Sequence, residues 1–86
     1  MRRKLKTDIE LFVIAKVKDK RTELSLSQED VASILDKSRG FIGQVESQKY
    51  PAKYNLNHLN KLALEFNCSL QDFLPEKPLV PKSTKK

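Results

Sequence analysis

The stretch Ser27 to Glu46, SQEDVASILDKSRGFIGQVE, leaves the chain few ways to fold. Ser27 is a strong helix N-cap, and Asp30 stands at the third helical position, where its carboxylate can answer the cap reciprocally. Val31, Ala32 and Leu35 then share one helical face. Asp36 and Lys37 break that pattern, and Asp36 falls where a left-handed residue is wanted, a conformation that Asp and Asn tolerate best after Gly. Ser38 caps a second helix, whose inward residues are Ile42 and Val45. Ala32 matters by being small, because a second helix can cross close to it. The expected unit is a pair of short helices, joined by a tight turn and crossing steeply.

The outer face of the second helix carries Arg39, Gly40, Gly43 and Gln44. Long hydrogen-bonding side chains stand there among residues with almost none, which suits a groove better than a core. An arginine at the head of such a helix can present its planar fork to guanine O6 and N7. Gln44, more than one turn later on the same face, can pair with adenine or with a backbone phosphate. Gly40 and Gly43 each cost the helix about 0.8–1 kcal/mol relative to Ala, so something should offset them. Close approach to DNA and close packing on a protein partner are both open. Phe41 lies between the two faces, and can either touch a thymine methyl or a sugar, or form an edge of the core.

Eighty-six residues make one domain with a small core. Seventeen Lys and Arg against eleven Asp and Glu give a net charge of +6, and a basic surface draws polyanions, nucleic acid first and acidic membrane second. One cysteine excludes an internal disulfide framework and any cysteine-rich metal site, and one histidine excludes most imidazole-based metal and catalytic clusters. The two glycines form no phosphate-binding loop. No catalytic residues, metal site or cofactor is expected. His58 is either a donor to phosphate or a solvated surface residue, and Cys68 either a redox thiol or a small buried hydrophobe. The basic start resembles a signal peptide, but Lys6, Asp8 and Glu10 interrupt it, and the apolar run from Leu11 to Ala15 is too short to span a membrane. A cytoplasmic location is expected.

The spacing predicts five helices. Residues 1–6 form a flexible basic arm, which either touches phosphate or is a frayed terminus. Thr7 and Glu10 form a capping box for a first helix running to about Arg21, with Leu11, Ile14, Ala15 and Val17 inward; Ile9, Phe12 and Val13 broaden that face toward a second layer or another subunit. Leu24 and Leu26 anchor the connector. After the helix pair, SQKYPAKY is a loop that Pro51 keeps from being helical, with Lys49 and Lys53 for charge and Tyr50 and Tyr54 for rings. Asn55 or Asn57 caps the fourth helix, with Leu56, Leu59, Leu62, Ala63 and Phe66 inward, and Asn67 ends it as Asp36 ends the second. Ser69 and Asp72 box a short fifth helix, where Leu70, Phe73 and Leu74 close the core before Pro75. The globular domain is 7–75, and 76–86 is a disordered basic tail.

The pattern Leu-Ser-Gln-Glu-x-Val-Ala followed by Ser-x-x-x-Ile-x-x-x-Glu resembles the helix-turn-helix of the lambda-repressor and Cro-like DNA-binding domains. That resemblance implies an all-α, five-helix, sequence-specific double-stranded DNA-binding transcriptional regulator, with recognition helix 38–46 in the major groove. It implies that Arg39, Gly40 and Gln44 face bases. It also implies that Gln28, Ser38, Gln48, Lys49 and Lys53 hold the backbone, with Gln28 bracing Arg39, and that Arg21 and Glu46 form an ion pair between the first and third helices. Phe41 and Gly43 are further possible contacts. Three residues depart from the family pattern: Asp36 replaces the usual turn glycine, Gly40 removes a side chain that often reads a base, and Phe41 replaces a small polar residue. A homodimer is expected, on the apolar surplus of Phe12, Val13, Leu79 and Val80. Two alternatives share the fold: the antitoxin of a toxin–antitoxin pair, with a toxin as protein partner, and a protein-interaction module.

Overall fold

A computed structural model describes residues 4–80. Their helices are α1 (Asp8–Glu23), α2 (Gln28–Leu35), α3 (Arg39–Val45), α4 (Leu56–Phe66) and one turn of 3-10 helix, Leu70–Phe73. The all-α class holds. The expected fifth α-helix is the 3-10 turn, because Leu74 is already extended and Pro75 follows it. Residues 1–3 and 81–86, parts of the expected arm and tail, lie outside the described residues.

Local chemistry sets the helix ends. Thr7, Ser27, Asn55 and Ser69 each make a reciprocal capping box with the residue three positions on, and Ser38 accepts the backbone N–H of Phe41 at 3.1 Å. At the other ends, Asp36 and Asn67 are left-handed, with φ of 59° and 57°. Ser25, in the α1–α2 turn, is also left-handed, with φ of 62°. The sequence marked that position with neither Gly nor Asn.

The core joins Val13, Ile14 and Val17 of α1, Val31, Ala32 and Leu35 of α2, Ile42 and Val45 of α3, and Leu59, Leu62, Ala63 and Phe66 of α4, with Tyr54 and Phe73. Val17, Val31, Ile42, Val45 and Leu62 are wholly buried. Burying a side chain of this size contributes about 1.5–3 kcal/mol. The 3-10 turn packs on α1 and α4, and Phe73 meets Phe66 edge-on at 6.3 Å.

Some expected anchors lie outside this core. The buried face of α1 runs through Val13, Ile14 and Val17, so Ala15, two positions from Val13 and from Val17, turns to solvent at about 100° per residue. Leu24 and Leu74 are exposed, and Leu56, at the first position of α4, is 80% exposed. Tyr54 is buried, while Tyr50 is exposed.

A left-handed L-residue costs about 1–2 kcal/mol that glycine escapes. Ser25→Gly is therefore expected to hold or raise stability in urea unfolding, and Ser25→Val to lower it. Equal stability of the two variants would mean that the turn relaxes to another conformation.

Candidate nucleic-acid interface

α3 is seven residues long and is held at both ends and along its inner side. Ser38 caps its start, and Ile42 and Val45 fill the core. At its end, Arg21 grips Glu46 with two parallel bonds, Nε to Oε2 at 2.8 Å and Nη2 to Oε1 at 2.9 Å. The remaining Arg21 amino group donates to the Leu26 carbonyl at 2.9 Å, and Gln28 Nε2 donates to Glu46 Oε1 at 2.9 Å. The side chains of the pair are 11% and 5% exposed. Burial pushes the Glu46 carboxyl up, but hydrogen bonds from Arg21 and Gln28 and the charges of Arg21 and Lys18 outweigh it and hold the group below its ordinary value. The Arg21 guanidinium is held above its own, mainly by the bond to Glu46.

The outer face of α3 carries the expected readers. Arg39, Gly40 and Gln44 are exposed, and neither the Arg39 guanidinium nor the Gln44 amide has a hydrogen bond or ion pair among the described residues. Both glycines have ordinary negative φ. A Cβ at Gly40 would meet Ser38 Oγ at 3.7 Å, and one at Gly43 would meet Gln28 Oε1 at 3.7 Å, both ordinary contacts. Nothing inside the domain therefore requires either glycine.

Around α3, the expected backbone-holding residues divide. Gln48 and Lys49 are exposed in the loop after α3, and the Lys49 N–H donates to Ser47 Oγ at 3.2 Å. Ser38 is occupied as a cap. The Gln28 amide is committed to Glu46 and lies over Gly43, and among the described residues no hydrogen bond joins it to Arg39. Lys53 pairs with Glu10 at 2.8 Å, an exposed pair worth only about 0–1 kcal/mol and cheap to break. Phe41 is half-buried at the core edge, with the Lys37 ammonium 5.5 Å above its ring.

Sequence reasoning missed two roles. His58 is neither a free surface residue nor an idle ring. Its Nδ1 accepts the Asn55 N–H at 3.1 Å as half of the α4 capping box, and its ring meets Phe41 and Tyr54 edge-on at 5.7 and 6.2 Å. With Nδ1 accepting, the neutral ring carries its proton on Nε2. Burial and the Lys37 charge lower its pKa. A histidine three residues after an Asn cap was the available signal. The second is Lys6, expected in a loose arm but 4% exposed, with its ammonium on the carbonyls of Gln44, Val45 and Ser47. Lys4 is tied as well, to Asp8 at 2.8 Å. Cys68 is half-buried, and burial, helped by Asp72, raises its thiol pKa.

A family model described as helix-turn-helix matches residues 17–73. The chain belongs to the lambda-repressor-like helix-turn-helix family. This is a family of DNA-binding domains and not an enzymatic one, and the chain is in general terms a DNA-binding regulator. No curated protein sequence matches it. Among solved structures, it is similar to the hypothetical transcription factor NHTF from Neisseria, with a TM-score of 0.65 and 19% identity over 87% of this chain and 78% of that one. It is also similar to HppE in complex with substrate. The iron(II) form has a TM-score of 0.65 and the cobalt(II) form 0.66, each at 18% identity over 77% and 78% of this chain. The chain spans 36% of the length of those HppE chains. At these identities the likeness is one of fold. Among the described residues, no helix is long and apolar enough to cross a membrane.

The buried pair predicts a mutational cycle. Arg21→Ala strands a buried carboxylate and is expected to cost about 3–5 kcal/mol, whereas replacing both residues with apolar ones restores much of that. Because the Glu46 pKa is depressed in the folded state, its contribution is complete above the ordinary value of 4.5 and is lost as pH falls through the folded-state value. Glu46→Gln should flatten that acid-side loss. Thermal melts across this range check both, and an Arg21→Ala variant that melts like the parent refutes the buried pair.

Proposed function

We propose that the chain is a sequence-specific regulator that binds double-stranded DNA with α3 in the major groove. One observation carries this reading. α3 is anchored by everything on its inner side, yet its outer side presents an unengaged arginine and glutamine, with two glycines between them that the domain itself does not need. A backbone left bare at a stability cost fits a surface that something approaches closely. In this reading Arg39 reads guanine, Gln44 reads the next bases or a phosphate, and Gly40 and Gly43 let the helix sit deep. Gln48 and Lys49, with Lys53 once released from Glu10, hold phosphates on one flank. Ser38, by its hydroxyl, and Gln28, by the second N–H of its amide, flank the other. In this reading the protein acts on DNA in the cytoplasm.

DNA affinity should fall steeply with salt through counterion release. Arg39→Ala should cost about 1–3 kcal/mol on the preferred sequence and relax the preference at one position. Gly40→Ala and Gly43→Ala should each stabilise the free domain by up to about 1 kcal/mol while weakening DNA binding. Fluorescence anisotropy on sequences selected from genomic fragments, with parallel melts, tests these. Absence of DNA binding at low salt would sink the proposal and leave the protein-interaction module. A toxin that co-purifies would make the regulator an antitoxin.

Assembly as a homodimer is part of the proposal, and the surface that supports it is the expected one only in part: Leu79 and Val80 are exposed, but the helix α1 pair is not. Val13 is a core residue and Phe12 is half-buried, with the Lys16 ammonium 5.5 Å from its ring. Further exposed apolar surface gathers at Ile9, Leu56 and Leu74, which with Val13 and Leu59 line a groove of about 170 Å³. Leu56→Glu should shift sedimentation toward monomer and weaken a two-half-site DNA more than a single half-site. A parent that sediments as a monomer and occupies a full site without cooperativity refutes the dimer.

A further inference from the structure

The C-terminal end of α3 lacks what ends the other two short helices. α2 and α4 close on left-handed Asp36 and Asn67, but Glu46 at the end of α3 has a right-handed φ of −80°, and no basic residue lies in the last turn. The carbonyls of a helix's last turn have no partners within the helix and carry partial negative charge. Here they are met by a side chain from far along the chain. The Lys6 ammonium has three N–H donors and faces three carbonyl oxygens, that of Gln44 at 3.1 Å and those of Val45 and Ser47 at 2.5 Å each. It is 4% exposed, and the Glu10–Lys53 pair lies close enough to act on its charge. Lys6 also precedes the stretch that the family model matches, 17–73.

We propose that Lys6 is a positioning residue for the reading helix. Its ammonium closes the C-terminal end of α3 and fixes the loop after it, so that Gln44 on the helix and Gln48 and Lys49 in the loop are presented together. The role in DNA reading rests on the proposed function; the closure of the helix end does not. A lysine suits the task because it meets three carbonyls with one compact charge, whereas an apolar residue of the same length would leave the Val45 and Ser47 carbonyls without this donor and the Gln44 carbonyl with only the Ser47 N–H.

Lys6→Met keeps the stem and removes the charge, and Lys6→Arg keeps a charge with several donors. In the free full chain, amide hydrogen exchange followed by NMR should speed up roughly tenfold or more for Glu46 and Ser47, whose N–H groups donate to the Ile42 and Gln44 carbonyls, in Lys6→Met. Amides of α4 should be unchanged, and Lys6→Arg should recover part of the protection. On DNA, Lys6→Met should lower the ratio of affinities for selected and random duplexes by about tenfold, at a temperature where it is fully folded. The proposal is overturned if exchange at Glu46 and Ser47 stays at the parent rate, or if exchange rises equally across all helices, which marks a global stability role. It is also overturned if the exchange changes locally while the affinity ratio does not. A parent chain that fails to bind DNA would remove the reading role alone, and the exchange measurement would still decide whether Lys6 closes α3.

Discussion

The placement of α3 depends on the paired bonds between Arg21 and Glu46. A seven-residue helix with two inward side chains can slide and rock on its neighbours, since apolar contact is not directional. The guanidinium–carboxylate fork is directional, and its two parallel bonds set an angle as well as a distance. The same arginine reaches the Leu26 carbonyl, and Gln28 reaches the same carboxylate. Three segments, α1, the connector and the start of α2, therefore converge on the end of α3. Burial makes the arrangement stringent, because losing either partner leaves a charge where water cannot reach it.

The tied and untied polar groups are segregated on α3. Inward and at its ends, its polar groups are engaged: Ser38 with Phe41, Glu46 with Arg21 and Gln28, and the last carbonyls with Lys6. Outward, Arg39 and Gln44 are unengaged and two positions have no side chain at all. Helix propensity makes the glycines unfavourable, and packing gives them no compensation within the domain. A local rule broken without internal return is what a surface shaped for a partner looks like. Phe41, half-buried against His58, bounds that surface on the α4 side and joins α3 to the cap of α4.

The sequence by itself determined the local grammar. Ser27 with Asp30, Thr7 with Glu10, and Ser69 with Asp72 are capping boxes whose members sit three residues apart, so the one-dimensional text contains the whole interaction. Asp36 and Asn67 were legible as left-handed ends for the same reason, and so were the inward residues of α2 and α3. The family pattern then carried Arg21 and Glu46, twenty-five positions apart, into contact. Only the tertiary structure decided what depends on distant neighbours. Ala15, Leu24 and Leu56 turned outward because burial belongs to the packing of faces and not to hydrophobicity. Lys6 turned inward because three carbonyls thirty-eight to forty-one residues away had room for a donor. A lysine near a basic terminus reads as solvated in any local window, since nothing beside it in sequence names the oxygens it will meet. Tyr54 became core by the same logic, and so did the edge-on contacts of the His58 ring with Phe41 and Tyr54, whereas the His58 cap itself lay within three residues of sequence.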